Sequence, residues 1–464
     1  MDAHQAAVPD LRLQDIEERK NASAPSGRVA FALLLLLTAV IFIRPTDLVP
    51  ACEGLPIYEA IIVACAVATG RSLLQQLSWR SLASQPGAIC VLGFGASIVF
   101  TNLSKGDLWH ARVDGLAFVK IVVFYVLVLS LVDTPVRFRL FLAMLAVFIA
   151  SIATLSLLQW HSFIDIPTLS AYKDHYGTDD DSGAGGNILR LRATGIFNDP
   201  NDFSLVLGAG MLIGLQFLLA QRRLVRKALW LPPMGVLCYA FSLTRSRGGF
   251  LGVLAGAAVF AIYRLGWRRA IPVAVLALPL LLWAFGGRQT DIDISNRDDT
   301  SGARVLLWRD SLVLFRRAPL FGIGSNQLAE ANGLVAHNSY VHAFAEVGLV
   351  GGTFFIGAIY IPLSAIRNLK SAKIGAGTDN SDLMRWQPCI AAITVSYAVG
   401  IFSLTRCYTL TTYLILGIAG AFCKLMRFGM PAACPPLSPK LIVTVITLSV
   451  LWLAFLHLFV RVFA

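Results

Sequence analysis

The chain has 464 residues, of which 56% are hydrophobic and 14% are charged, and its formal net charge is +12 at pH 7. Apolar runs recur along its whole length, which excludes a soluble globular protein and predicts an all-α polytopic membrane protein. The positive charge is explained by membrane orientation, because the sequence contains no aromatic-interleaved basic surface of the kind that binds nucleic acid. No nucleic-acid partner is therefore expected.

Stretches with few or no charges follow one another along the chain and predict about 12–13 transmembrane helices. Several are shorter than the roughly 20 residues that cross a bilayer, so they should extend into flanking residues, or one should be re-entrant. The predicted spans are Val29–Ile43, Leu55–Thr69, Pro86–Thr101, Val113–Val132, Leu140–Trp160, Phe203–Ala220, Leu229–Thr244, Gly248–Tyr263, Ala270–Phe285, Phe344–Ile366, Pro388–Leu404, Tyr408–Cys423 and Leu441–Val460.

Lys and Arg fix the orientation of these spans, because basic residues are retained on the cytoplasmic side. With the amino terminus inside, basic clusters at 222–227 and 264–269 are cytoplasmic, and both long loops face outward. The first span is expected to be an uncleaved anchor. The chain then divides into a cytoplasmic tail (1–28), amino-terminal transmembrane helices (29–160), an extracytoplasmic loop (161–202), central transmembrane helices (203–285), a large outer loop (286–343) and carboxy-terminal transmembrane helices (344–464).

The ionisable and cysteine residues within the spans are more readily explained by structural roles than by catalysis. Lys120 lies well inside a span and is interpreted as snorkelling or as paired with a carboxylate. The eight cysteines show no CxxC spacing and mostly lie within or at the ends of spans, so they are interpreted as packing residues. We therefore expect no disulfide framework, no metal site and no cofactor.

The first long loop ends in a tight turn that leads directly into an apolar helix. Asn-Asp-Pro-Asn-Asp at 198–202 supplies side chains that accept hydrogen bonds from free backbone amides, and Pro200 presets the first turn. Capping alone would explain this sequence. The functional interpretation is that the turn holds Arg192, and more weakly Arg190, over the membrane rim, where a guanidinium binds phosphate through two parallel hydrogen bonds.

Two further arginines, Arg245 and Arg247, occupy a short outer turn between two spans and precede Gly248 and Gly249. Arginines on the outer side oppose the orientation rule, and such a local conflict is typical of a functional site. We predict that they bind an anion. Contact with lipid phosphates, without catalysis, is the alternative.

The second long loop carries six arginines and no lysine between residues 286 and 336. Apolar residues recur at helical spacing between Ser301 and Pro319, which predicts a helix along the outer membrane face. Arg304, on its first turn, is the arginine expected to reach the site. Arg309 is the weaker candidate.

A motif closes this loop. His337 and Asn338 are followed by nine residues, Gly348, two residues and Gly351. Together with the arginine segments above, this pattern resembles the O-antigen ligase family, in which His, then Asn, Ser or Gln, nine residues, Gly, two residues and a small residue lie in a large periplasmic loop. The resemblance covers roughly residues 190–352. The same superfamily includes O-antigen and exopolysaccharide polymerases and protein O-oligosaccharyltransferases.

The resemblance implies a GT-C-like glycosyltransferase of the bacterial inner membrane whose active site faces the periplasm. Its donor would be a glycan on undecaprenyl diphosphate, and its acceptor a lipid or glycan hydroxyl, both held among the membrane lipids. Departure of the diphosphate leaves negative charge, which arginines stabilise in place of a metal ion. The acceptor proton must also be removed, which suits a neutral histidine with a pKa near 6.5.

The leading hypothesis is an inverting, metal-independent glycosyltransferase, foremost an O-antigen ligase. A polymerase or a protein O-oligosaccharyltransferase is the alternative within this class. A polysaccharide or lipid transporter is the alternative from another class, although the spans lack internal repeats and a charged central path. His342 is interpreted as an interfacial residue. The assigned residues are His337 as general base, Asn338 as its orienting neighbour, Arg192, Arg245, Arg247 and Arg304 as diphosphate contacts, and Gly348 and Gly351 as packing positions.

Overall fold

The computed structural model describes residues 25–176, 186–284, 300–370 and 380–463. Most of the predicted cytoplasmic tail and part of the large outer loop lie outside these residues. The amino-terminal helices are α1 (Pro25–Ile43), α2 (Pro45–Leu48), α3 (Ile57–Thr69), α4 (Arg71–Gln76), α5 (Trp79–Ser84), α6 (Pro86–Ser104), α7 (Leu108–Leu131) and α8 (Pro135–Trp160). The later helices are α9 (Pro200–Ala220), α10 (Leu224–Ala228), α11 (Leu231–Thr244), α12 (Arg247–Leu265), α13 (Trp267–Ala284), α14 (Thr300–Arg317), α15 (Leu328–Asn332), α16 (Ser339–Leu369), α17 (Asn380–Met384), α18 (Gln387–Gly400), α19 (Leu410–Arg427) and α20 (Pro439–Phe463).

Ten helices in the described part of the chain are long and apolar enough to cross a membrane. Each of the predicted spans corresponds to a helix, so the all-α polytopic class is confirmed. The three that fall outside the ten are α3, α11 and α13. The first two have 13 and 14 residues and measure about 20 Å, which is less than a hydrocarbon core of about 30 Å. The third contains two internal prolines, Pro272 and Pro279.

Turns that were predicted to share one side of the membrane contact each other. The Thr168 hydroxyl donates to the carbonyl of Asp47 at 2.9 Å, which joins the turns after α8 and α1. At the other end of the bundle, the Leu437 N–H donates to the carbonyl of Ala83 at 2.7 Å. We call the end that carries the turns after α1, α6, α8, α11, α14 and α18 the site face.

A short antiparallel ribbon stands on the site face. Strand β1 (Tyr172–Tyr176) pairs with β2 (Gly186–Arg190), with Tyr172 opposite Arg190. The sequence analysis predicted no strand here. The ribbon fixes the start of the segment that carries Arg192.

The pairing of Lys120 with a carboxylate is confirmed. The Lys120 ammonium donates to Glu59 Oε1 at 2.9 Å, so the charge inside α7 is paired with a carboxylate of α3. Gly252 of α12 lies so close to α18 that a Cβ there would be 2.7 Å from the carbonyl oxygen of Ser396. Small residues therefore allow α12 and α18 to pack closely, as they commonly do between membrane helices.

Candidate active site

His337 ends the large outer loop immediately before α16. Its backbone is left-handed, with φ of 49°, which is uncommon for a residue with a side chain. Asn338 follows as the helix cap, because its Oδ1 accepts from the N–H groups of Tyr340 and Val341 at 3.0 and 3.1 Å. The motif histidine is therefore held in a fixed turn at the start of a long helix.

The predicted amphipathic helix of the outer loop is α14, and it delivers Arg304 to His337. Trp308, one turn beyond Arg304, donates its indole N–H to the carbonyl of Ala336 at 2.8 Å. Trp308 and Ala336 are both buried. The positive charge of Arg304 acts directly on the His337 imidazole.

The environment of His337 keeps its imidazole neutral. Burial lowers the pKa of His337 from 6.5 to about 4, and the positive charges of Arg304 and Arg406 act in the same direction. Asp199 opposes them with its negative charge. The sequence analysis took an unperturbed pKa near 6.5, and the structure corrects that value downward. No residue in the described part of the chain hydrogen-bonds to the His337 ring. Among these residues, therefore, no donor occupies the nitrogen lone pair that could accept a proton.

Arg190, the weaker candidate of the first loop, is a structural residue. It is 5% exposed, and its Nε donates to the carbonyl of Thr244 at 2.8 Å. Its terminal nitrogens contact Asp174 Oδ2 at 3.1 Å and Asn201 Oδ1 at 2.7 Å. These bonds tie the ribbon to the ends of α11 and α9, and they commit the guanidinium to protein acceptors.

Arg192 and Arg245 lie on segments that are bonded to each other. The N–H of Leu191 donates to the carbonyl of Leu243 at 2.9 Å. The Arg192 Nε donates to the carbonyl of Ser170 at 2.8 Å, which orients this partly exposed guanidinium. Arg245 caps α11 in a left-handed conformation with φ of 49°, and its exposed side chain contacts no acceptor among the described residues. Both arginines are accessible to an anion.

Arg247 begins α12, next to the glycines that bring this turn close to its neighbours. The Ser246 hydroxyl oxygen caps the helix by accepting from the N–H of Gly249 at 3.2 Å. A Cβ on Gly248 would collide with the side chain of Ser403, in the turn that leads to Arg406. The arginine turn therefore packs directly against the 401–409 segment.

Arg406 is a residue of the site that the sequence analysis missed. Its guanidinium makes a bidentate ion pair with Asp202 and lies 3.8 Å from Asp199 Oδ2. Its backbone N–H donates to the Ser339 hydroxyl at 2.7 Å, and that hydroxyl donates to the carbonyl of Leu404 at 2.6 Å. Arg406 thus joins the turn of the first loop to the residue after Asn338. A signal was available, because Arg406 is an arginine in a short turn between two spans, as Arg245 and Arg247 are.

Gly348 breaks α16 where the large loop docks on it. Its φ of 72° and ψ of −169° interrupt the helix, and a Cβ there would collide with the carbonyl of Leu320. The freed N–H groups of Leu349 and Val350 donate to the carbonyls of Pro319 and Leu320 at 2.8 and 3.2 Å. Glycine is needed for both the backbone conformation and the close approach.

Gly351, the second motif glycine, lies in the continuous part of α16. A Cβ there would stand 3.4 Å from Cβ of Ser97 on α6 and 2.5 Å from Cγ1 of Val347 on its own helix. The two motif glycines therefore have different tasks, since Gly351 accommodates side chains whereas Gly348 accommodates backbone.

His342 is not interfacial, and that interpretation was wrong. Its side chain is buried, and Nε2 lies 3.0 Å from Oε2 of Glu346, which is also buried. The sequence analysis did not single out Glu346. A signal was available, because residues four positions apart lie on the same face of a helix.

Part of this arrangement lies in a segment that is similar to a known family. Residues 233–356 match the family model described as O-antigen ligase. This segment, about a quarter of the chain, is similar to the O-antigen ligase family. The matched segment contains Arg245, Arg247, Arg304, His337 and both motif glycines, whereas Arg192 precedes it. Among curated proteins none matches the chain.

The match supports glycan transfer of the O-antigen ligase type on lipid and glycan substrates, and the ten long apolar helices of the described residues support a multi-pass membrane protein. The described residues offer a partly buried imidazole at His337, the ion-paired guanidinium of Arg406 and two accessible arginines, Arg192 and Arg245. Within the described residues no cluster of three or more His, Cys, Asp or Glu side chains could hold a metal ion. The arrangement is suited to binding an anion and accepting a proton.

Proposed function

We propose that this protein transfers a glycan from undecaprenyl diphosphate to an acceptor hydroxyl at the periplasmic face of the bacterial inner membrane. The foremost case is ligation of O-antigen to lipid A-core. The observation that supports it best is that His337 is held at the start of α16 with the Arg304 helix bonded to the residue before it, within the segment that matches the O-antigen ligase family. The base can take the proton of the acceptor hydroxyl, and the fixed cation can stabilise the negative charge of the leaving diphosphate.

The proposed reaction is a single displacement. The acceptor oxygen attacks the anomeric carbon, the bond from that carbon to the diphosphate oxygen breaks, and its electron pair leaves with the diphosphate. His337 takes the acceptor proton. A single displacement inverts the configuration of the anomeric carbon. The negative charge of the leaving diphosphate is stabilised by guanidinium groups, in place of a metal ion, and these belong to Arg192, Arg245, Arg247 and Arg304.

Donor binding makes His337 a stronger base in this mechanism. With no substrate bound, burial lowers the pKa of His337 to about 4, with Arg304 adding to the shift. A diphosphate placed against Arg304 offsets that positive charge and adds a negative one, which raises the pKa again. The imidazole is therefore neutral while it waits for the acceptor and more basic once the donor is in place.

The test is a reaction with purified protein in lipid vesicles, a defined undecaprenyl-diphosphate glycan and separate acceptors. Transfer to lipid A-core, lost in His337→Ala, supports ligation. Transfer of one carrier-linked glycan to another supports a polymerase, and transfer to a polypeptide hydroxyl supports a protein O-oligosaccharyltransferase. Failure to transfer to any acceptor, with movement of the lipid across the vesicle membrane, would replace the enzyme with a transporter.

A further inference from the structure

A carboxylate that the mechanism does not use lies beneath the site. Glu346 of α16 is fully buried, nine residues after His337. Its Oε2 accepts from the N–H of Asn326 at 2.8 Å, and its Oε1 accepts from the N–H of Leu328 at 2.9 Å. A carboxylate inside a membrane-spanning helix is costly unless donors of this kind surround it.

His342 is the third partner of this carboxylate. Its Nε2 lies 3.0 Å from Oε2 of Glu346, so Nε2 donates to the carboxylate and Nδ1 is the other ring nitrogen. No described residue donates to that buried Nδ1. The ring packs edge-on against Tyr408, with centroids 5.7 Å apart, and Tyr408 lies two residues after Arg406.

The loop ahead of α15 is held from both sides. The backbone carbonyl of Glu346 accepts from the N–H of Gly324 at 3.1 Å. From α7, Asp114 accepts from the Ser325 hydroxyl at 2.5 Å and from the Asn326 side-chain amide at 3.0 Å. Glu346 therefore sits where α16, this loop and the Arg406 turn meet.

We propose that Glu346 and His342 are positioning residues for His337, an inference that rests on the proposed function. The carboxylate fixes the first turns of α16, the 322–328 loop and, through the His342 ring, the segment that carries Arg406. The N–H of Arg406 donates at 2.7 Å to the hydroxyl of Ser339, which lies in the first turn of α16, two residues after His337. These contacts set where the imidazole stands relative to the arginines that hold the donor.

The decisive variant is Glu346→Gln, measured by steady-state kinetics with undecaprenyl-diphosphate glycan as the varied substrate. The amide nitrogen replaces one acceptor oxygen, so it repels a backbone N–H and donates to Nε2 of His342, which inverts the tautomer. Displaced reacting groups lower kcat by about 10²-fold. Because Arg192 and Arg245 lie on other segments, KM for the donor stays within about twofold of the original protein.

Matched variants separate positioning from general loss of structure. Glu330→Gln, on the exposed surface of α15, should leave both constants unchanged. His342→Gln keeps a donor for Glu346, whereas His342→Phe keeps the ring contact with Tyr408 and loses that donor. We expect the Gln variant to retain at least about tenfold more kcat than the Phe variant. Size-exclusion profiles and thermal midpoints give the folded fraction of each.

The outcomes are distinguishable from failure of the proposed function. An inactive His337→Ala together with unchanged kcat in folded Glu346→Gln would overturn the positioning role alone. An active His337→Ala would overturn the proposed function itself. If Glu346→Gln yields no folded protein, the two His342 variants decide, and equal kcat for Gln and Phe would refute the inference.

Discussion

The indole nitrogen of Trp308 donates to the carbonyl oxygen of Ala336 at 2.8 Å. This bond joins α14, which carries Arg304, to the residue immediately before His337. The same indole packs edge-on against Phe402, with centroids 5.1 Å apart. The position of the cation relative to the imidazole therefore depends on a contact between two residues that take no part in the chemistry.

Trp308→Phe should reduce transfer by about tenfold. The smaller ring keeps much of the packing and loses the hydrogen bond, which costs about 1 kcal/mol and loosens α14 over His337. The measurement is kcat with a saturating acceptor. Trp452→Phe is the control, because the Trp452 Nε1 has no hydrogen-bond partner in the described part of the chain. Equal kcat in the two variants would show that the Trp308 bond is irrelevant to the site.

Gly348→Ala should yield little folded protein. The added Cβ collides with the carbonyl of Leu320, and the alanine backbone must also adopt a φ of 72°. Gly333 has a similar φ of 73°, and a Cβ there would meet nothing within 4 Å. Gly333→Ala isolates the backbone strain, about 1 kcal/mol, whereas Gly348→Ala should exceed about 3 kcal/mol. Thermal midpoints in detergent measure both, and similar midpoints would contradict the role given to loop docking.

Arg245→Ala should lower kcat/KM for the donor by about 10²-fold and leave the thermal midpoint unchanged. The Arg245 side chain is exposed, so we expect the variant to lose a contact with the diphosphate and no contact that stabilises the fold. Arg190→Ala is the contrasting variant, because it removes bonds to Thr244, Asp174 and Asn201 and should destabilise the protein by about 3 kcal/mol. A lower midpoint with normal kinetics in Arg245→Ala would reverse this assignment.

The pH dependence of transfer should follow His337. Burial lowers the pKa of His337 to about 4, so the free enzyme keeps a neutral imidazole down to about pH 5 and kcat/KM falls as pH drops through 4. The limb of kcat should lie at higher pH, because bound diphosphate raises the pKa. Asp199→Asn keeps the helix cap and removes a charge that raises this pKa, so its kcat/KM limb should move lower still. A kcat/KM limb near pH 6.5 would refute the electrostatic description.

The transmembrane helices could be predicted because each one is a continuous apolar stretch of the sequence. Their boundaries were less predictable, as α16 shows. The span was predicted to begin at Phe344, whereas the helix begins five residues earlier, at Ser339. The side chains of His342 and Glu346 satisfy each other, so the helix carries them inward at reduced cost.

The sequence allowed us to predict which types of residue lie on the site face. It did not allow us to predict which of them contact one another. Arg304 was expected near His337 from its place on the first turn of α14, and the bond from Trp308 of that helix to Ala336 agrees with this placement. Arg406 was missed because its partner, Asp202, is 204 positions away along the chain. Pairing over that separation depends on how α9 and α18 pack, which local sequence patterns do not encode.

The central claim is that His337 removes the acceptor proton during transfer of the glycan. Single-turnover transfer with His337→Ala, at donor and acceptor concentrations that saturate the original protein, measures this directly. We predict a rate lower by about 10³-fold with donor binding retained, because the arginines remain in place. A rate within about twofold of the original protein would contradict the account.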